Sequence, residues 1–411
     1  MITLDLRDAI ARAVRDLGPA ADGTVRAPAP GLPPELPSDP KLRPGPAPGT
    51  YATSIAFGLS AIFRTTPSQV ATRITRRLAA TDWIAETVTA GGYITVTVTP
   101  EALASVATRI TAAGPACVRS EVLRGVTLPG PVPAAMEAAQ TWEDARAGLA
   151  AELTARLAEA AGATLLPSRT APQAGPPSAA PPGTAPPGTA PPGTAIPGTA
   201  PPGTAIPGTA VPETGDRSDP EGAAGRRRER SRSDEGAGEG SPAGQPSEPV
   251  AAAVAVAGAD AVRFALSRVI PGKPAAIDGA SIARNSLDNP AYAVRYAHAR
   301  AVSGVRWVAA LGAPAQGDAG AARLPADPAE RVLLDALSWL PERVAVAARR
   351  GRPDEFARYL EDLARATIAG MPFVRPGDDE RLALTGAVAQ AARTGLAAGL
   401  GLLGVAAPDR L

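Results

Sequence analysis

The sequence predicts a mainly α protein with a small N-terminal α+β domain, a disordered Pro/Gly-rich linker and a C-terminal all-α helix bundle. Three observations carry that expectation. Hydrophobic residues make up 45% of the 411 positions but aromatics only 3%, so any core is built from Ala, Val and Leu and suits close-packed helices. Apolar residues recur at helical spacing through both ends of the chain. Between those ends lies a Pro/Gly pentad repeat with no face to bury. The expected boundaries are 1–130 for the α+β domain, 131–166 for a long amphipathic helix, 167–250 for the linker and 251–411 for the helix bundle.

In chain order, Leu6, Ile10, Val14 and Leu17 form the stripe of a short amphipathic helix that Gly18-Pro19 ends. Residues 27–48 are proline-rich and read as an extended surface connection. Tyr51–Phe63 has helical periodicity through Ile55, Leu59 and Ile62, and Pro67 starts a second helix bearing Val70, Ile74 and Leu78. Trp83–Val88 and Tyr93–Val98 read as strands joined at Gly91-Gly92, and Pro100 opens a helix through Ile110. Residues 134–162 read as one long helix with Trp142, Ala145, Leu149, Leu153, Leu157 and Ala161 along a stripe. Pairs such as Glu152–Arg156 would support it by a few tenths of a kcal/mol, on the order of 0.3.

From Pro181 the pentad P-P-G-T-A repeats, with Ile196, Ile206 and Val211 as variants. Such a segment reads as a semi-stiff, partly polyproline-II spacer. The run Arg226–Arg232 that follows has acidic neighbours Asp219, Glu221, Asp234 and Glu235 and reads as a solvated charged stretch. Order resumes near Ala251. Ile277–Leu287 reads as a short helix, and Asn289–Leu311 as a longer one. Asp327-Pro328-Ala329-Glu330 is a helix start with a cap, a first-turn proline and a glutamate at the capping-box position, leading into Leu333, Leu334, Leu337 and Leu340. Pro353 opens the next helix, and Asp378 caps the last.

The segment from Asn289 carries the functional signal. Asn289 suits an N-cap and Pro290 the first turn. At about 100° per residue, Val294, Ala297, Ala301, Val305 and Val308 share one apolar stripe. Tyr292, Arg295, Tyr296, Ser303, Arg306 and Trp307 fall opposite, with Arg300 at the edge. Aromatic rings and guanidinium planes on one face suit unstacked bases and phosphates. Tyrosines packed on neighbouring helices and solvated arginines are the alternative, and pattern alone favours it.

The letters resemble a known family. Ala293-Val294-Arg295-Tyr296-Ala297-His298-Ala299-Arg300 is similar to the Y-V-Q-Y-A-H-A-R segment that opens the anticodon-binding domain of arginyl-tRNA synthetases. Gly258–Phe264 resembles that family's G-x-D-A-x-R-F segment, and Gly399–Leu411 resembles its G-L-x-L-L-G-V-x-A-P-E-R-M terminus. In the N-terminal part, Gly49–Ser54 resembles G-D-Y-A-T-N, and Ala90–Ile94 resembles the A-G-P-G-F-I turn. The resemblance covers 258–411 closely and 49–120 more loosely.

The resemblance implies an anticodon-binding (DALR-like) helix bundle, tRNA as partner with arginine tRNA the candidate species, and an N-terminal domain that grips the tRNA elbow. It implies that Tyr296, Arg300 and the last residue, Leu411, contact anticodon nucleotides. Tyr292, Arg295 and Arg306 join this RNA-binding set from the helix face. Ala293 stands where the family has a base-contacting Tyr, Arg295 replaces Gln, and Leu411 replaces Met. Weakened or altered selectivity is expected, with Arg295 offsetting lost stacking by a phosphate contact.

Composition limits the chemistry. His298 is the only histidine, and Lys41 and Lys273 are the only lysines. The family's H-x-G-H element and K-M-S-K loop, which stabilise phosphate charge during adenylation, are therefore both absent. Cys117 is the only cysteine, which excludes an intramolecular disulfide and a Cys-based zinc site. Neither a catalytic residue, a cofactor nor a metal is expected. His298 reads as a satisfied structural residue rather than a general base. Met1 to Leu17 carries Asp5 and Asp8 and does not read as a signal peptide, and the apolar runs Ala251–Gly258 and Gly395–Ala407 are too short to span a bilayer. A cytoplasmic, non-catalytic tRNA-binding protein is the expectation. The alternative is a protein–protein scaffold that docks on a synthetase or another translation component.

Overall fold

The computed structural model describes residues 1–17, 39–130, 139, 141–167, 249–275, 277–312, 327–371 and 379–411. The expected linker over 167–250, the Gly18-Pro19 stop and the Asp378 cap lie outside these residues except at the linker's margins.

Helix α1 (Ile2–Arg15) buries Leu6, Ile10 and Val14 as its spacing requires. A four-stranded antiparallel sheet follows, ordered β1 (Arg43–Pro44), β2 (Thr50–Thr53), β4 (Tyr93–Val98) and β3 (Ile84–Ala90). Helices α2 (Ile55–Phe63), α3 (Pro67–Leu78) and α4 (Pro100–Ala113) complete this layer. Thr66 closes a full capping box with Gln69 at the start of α3, and Thr99 caps α4 by accepting from the Ala102 amide.

Two expectations are corrected here. Tyr51 belongs to a strand, not to the following helix. It pairs with Val96 in the middle of the sheet and is fully buried, so the ladder overrides local helical periodicity. The proline-rich connection also contributes a strand, since Arg43 and Pro44 pair with Ala52 and Tyr51 at the sheet edge, where a missing proline N–H is tolerated.

Helix α5 spans Trp142–Ala160, shorter than the expected 134–162; residues 131–138 and 140 lie outside the described part. Thr141 stops it on the N-terminal side, because its hydroxyl accepts from the Asp144 amide while its own backbone is extended. Trp142, Ala145, Leu149, Leu153, Leu157 and Ala161 are all buried, as their stripe requires. On either side of α5, β5 (Thr127–Pro129) and β6 (Thr164–Leu166) pair in parallel, which the sequence pattern does not reveal.

Among the described residues, the ordered elements of the C-terminal part are all helices. It comprises α6 (Val250–Ala257), α7 (Ala259–Ser267), α8 (Gly279–Ile282), α9 (Pro290–Ala310), α10 (Pro328–Ser338), α11 (Leu340–Arg350), α12 (Pro353–Ala369) and α13 (Asp379–Leu403). Helix α8 is one turn rather than the expected Ile277–Leu287. Asn289 Nδ2 donates to the carbonyls of Ile282 and Arg284, which closes that segment into a turn. Leu340 begins a helix of its own after a break at Trp339. Asp327 caps α10 as expected, but Glu330 does not act as a capping-box partner. It is buried and takes the Arg381 guanidinium at 2.8 Å. Helix α13 packs closely on α12 because Gly399 has no side chain: a Cβ there would lie 2.5 Å from Leu360 Cδ2.

Residues 1–170 and 246–411 form one compact unit with a continuous hydrophobic core. The N-terminal elements are fastened to α10 and α11 by specific polar bonds. Thr3 donates to the Ser338 carbonyl at 2.8 Å, the Gly49 amide to Asp335 Oδ1 at 3.1 Å, and Arg7 Nη2 to both Glu342 oxygens at 2.7 and 2.8 Å. The Tyr51 hydroxyl and Ser338 Oγ are 3.0 Å apart, and the Tyr51 and Trp339 rings lie 5.4 Å apart. Among the described residues no single helix is long and apolar enough to cross a membrane.

Candidate nucleic-acid interface

Helix α9 starts as its sequence dictates. Asn289 Oδ1 accepts from the Ala291 amide, and Pro290 occupies the first turn. The apolar stripe turns inward: Val294, Ala297, Ala301 and Val308 are buried, and Val305 is half-buried. The opposite face carries the sequence candidates. Tyr292, Arg295, Tyr296 and Arg300 are half-buried, and Ser303, Arg306 and Trp307 are exposed.

Two of the candidates touch each other. The rings of Tyr292 and Tyr296, one turn apart, stack with centroids 5.9 Å apart and planes inclined by 22°. The arginines divide between the flanks. Arg300 Nη2 donates to the Met371 carbonyl at 3.0 Å, beyond the end of α12. Arg306 Nη2 donates to the Asp409 carbonyl at 2.6 Å, in the segment that follows α13. Arg295 Nε is buried without a hydrogen-bond partner. Leu411, two residues beyond Asp409, is exposed.

His298 holds the same terminal segment. It is buried, and its Nδ1 lies 2.9 Å from the Pro408 carbonyl. Burial pushes its pKa down; the Pro408 bond and Asp409 oppose the shift, and Arg393 adds to it. This is the structural role the sequence suggests, but the partner is a carbonyl 110 positions away that periodicity cannot name. At about 100° per residue, Arg295 and Arg306 lie on the flank beside His298, and Arg300 on the other. Tyr292, Tyr296, Ser303 and Trp307 lie between them. The result is a helix face with a tyrosine stack at its centre, guanidiniums on both sides and the chain terminus along one edge.

Such a face can stack bases and hold phosphate. It shows no general acid–base pair. Among the described residues no three His, Cys, Asp or Glu side chains gather as a metal site. Cys117 is buried and its thiol is pushed up to about 12 by burial, so it is not a reactive nucleophile at neutral pH.

Comparison with known proteins matches segments at both ends of the chain. Residues 294–411 match the DALR anticodon binding domain, and residues 4–98 match the arginyl tRNA synthetase N terminal domain. The arginine–tRNA ligase of Frankia alni is 39% identical over 160 residues, covering 38% of this chain and 29% of that protein. Those of Kineococcus radiotolerans and Pseudarthrobacter chlorophenolicus are 38% and 36% identical over 168 and 167 residues, with the same coverage. The chain thus spans 29% of the length of these curated relatives. The arginyl-tRNA synthetase structure from Thermus thermophilus aligns over 100% of both chains with a TM-score of 0.50 and 14% identity, a likeness of fold. The chain is an arginyl-tRNA synthetase-related protein that carries that family's N-terminal domain and its DALR anticodon-binding domain.

Proposed function

We propose that this protein binds tRNA, arginine tRNA being the first candidate, through the exposed face of α9 and the terminal segment beside it, and that it does not aminoacylate. The observation that carries the proposal is the stacked Tyr292–Tyr296 pair on a DALR-domain helix, with Arg295, Arg300 and Arg306 around it and Leu411 on the adjoining segment. The rings supply stacking surface. Arg306 is exposed and gives one nitrogen to a backbone carbonyl, so the rest of its guanidinium can reach a phosphate.

The absence of charging chemistry rests on inventory. A single histidine cannot form an H-x-G-H element, and neither lysine lies in a K-M-S-K context. Held on tRNA without a charging step, the protein would act as a binding or delivery module in the cytoplasm.

A second reading, a scaffold for a synthetase or another translation protein, is favoured by one observation: Trp307 is 52% exposed on the same helix and suits a protein contact as well as a base. The deciding experiment is equilibrium binding to a panel of tRNA transcripts at two salt concentrations, beside a Tyr296→Ala, Arg300→Ala double variant. Salt-sensitive binding that the double variant loses supports the tRNA proposal. Absence of binding by the folded wild-type chain refutes it and leaves the scaffold. An aminoacylation assay with arginine and ATP is expected to show no product.

A further inference from the structure

A groove of about 720 Å³ lies where the 3-10 turn Gly114–Val118, α5 and α13 come together. Three guanidiniums line it from three separate segments: Arg119 just after the 3-10 turn, Arg156 on α5 and Arg393 on α13. Gln390, Thr394 and Glu159 supply neutral and acidic polar groups. Val118 and Leu402 give it apolar wall.

Of the three arginines, only Arg156 has a carboxylate partner among the described residues; Arg119 and Arg393 have none there. Arg156 shares the single carboxylate of Glu152 with Arg263, at 2.7 and 2.5 Å, so that cluster also keeps one net positive charge. Gathering cations costs Coulomb energy that a fold does not retain without some return, and an unpaired guanidinium fork matches phosphate oxygens. The groove's size lies within the range of roughly 300–1,000 Å³ usual for small-ligand sites. Glu159 would repel a bare anion but can accept from a ribose hydroxyl or a base amino group.

We propose that this groove binds a phosphate-bearing nucleotide, its phosphate held by Arg119, Arg393 and Arg156 and its sugar or base set against Glu159 and the apolar wall. The site exists only where the N-terminal half meets α13, so it reports that docking. No α9 residue lines it, and it does not depend on the tRNA proposal. The nucleotide comes either free or as part of an RNA strand, and the chemistry recognised is the same.

The test uses the full chain and an Arg119→Ala, Arg393→Ala variant, with Arg393→Gln as a milder second variant that keeps most of the side chain's stem and with circular dichroism to verify folding. ADP and inorganic pyrophosphate are titrated calorimetrically, and a tRNA transcript is titrated at low salt. ADP binding at one site, weakened at least tenfold in the folded double variant, establishes a free nucleotide as ligand. No ADP binding, but RNA affinity lowered at least fivefold in the folded double variant and lowered also by Arg393→Gln, establishes an RNA-borne nucleotide. ADP binding that the variants leave unchanged overturns the proposal, as does pyrophosphate binding as tightly as ADP. Absence of ADP binding together with unchanged RNA behaviour overturns it as well. Loss of RNA binding in Tyr296→Ala, Arg300→Ala alone concerns the α9 face and not this groove.

Discussion

His298 Nδ1 lies 2.9 Å from the carbonyl oxygen of Pro408, so the one histidine of the chain fastens its terminal segment to α9. Together with the Arg306–Asp409 bond, this contact makes the terminus part of the candidate interface rather than a free tail.

Because burial lowers the His298 pKa, the folded state prefers the neutral ring. The unfolded chain then takes up a proton first as pH falls, and stability drops with it. The contribution is intact above about 6.5, the ordinary histidine value, and is lost as pH falls from there towards the lowered folded-state pKa. Denaturant midpoints measured from pH 8 to 5 are expected to fall below about 6.5. His298→Gln is expected to flatten that part of the profile, and an unchanged profile would show that the ring does not titrate in this way.

Tyr296→Ala removes half of the tyrosine stack at an accessible surface. Stacking of a base on an aromatic ring contributes about 1–3 kcal/mol, so RNA affinity is expected to fall by roughly 5- to 150-fold, with little loss of melting temperature. Arg300→Ala is expected to lower both affinity and its salt dependence. It also releases the Met371 carbonyl, so its melting temperature should drop more than that of Tyr296→Ala.

The Arg7–Glu342 pair joins the two ends of the chain with both partners largely buried. Breaking a buried pair by removing one member costs on the order of 3–5 kcal/mol where the other charge is stranded, and less here, because Arg7 keeps Asp39 at 3.3 Å. Glu342→Ala is therefore expected to destabilise the whole unit. Arg349, 3.7 Å from Glu342, keeps its closer partner Asp39 at 2.7 Å. A Glu342→Ala chain as stable as the wild type in a urea titration would show that the two halves are not fastened here.

Asp335 accepts the Gly49 amide, and burial raises its pKa. A carboxyl whose folded-state pKa is raised holds its proton longer in the folded chain, so its contribution is greatest at low pH and is lost as pH rises through the folded value. Asp335→Asn keeps an acceptor oxygen for Gly49 without the charge. It is expected to match or exceed wild-type stability at pH 7 by up to about 1 kcal/mol, read from the urea midpoint. A clear loss of stability would show that the charge itself is needed.

Much of this was legible in the residues. Helix α9, its Asn289 cap and the inward turn of Val294, Ala297 and Ala301 follow from local preferences and a 3.6-residue period, which act within a few residues and are written in order. The stripes of α1, α5 and α12 follow in the same way. The strand at Tyr51 did not, because its pairing with Val96 and its burial under Trp339 are decided by residues far along the chain.

By itself, then, the sequence determined helices such as α1, α9 and α12, which face of α9 is polar, the kinship of both ends with arginyl-tRNA synthetases and the want of histidines and lysines for charging chemistry. Only the tertiary structure decided that Arg300 and Arg306 take backbone carbonyls, that His298 grips Pro408 and that Arg119, Arg156 and Arg393 share a groove. The physical reason is range. Periodicity and capping are local, whereas these partners lie 71 to 110 positions apart along the chain in the three bonds, and only packing brings them within reach.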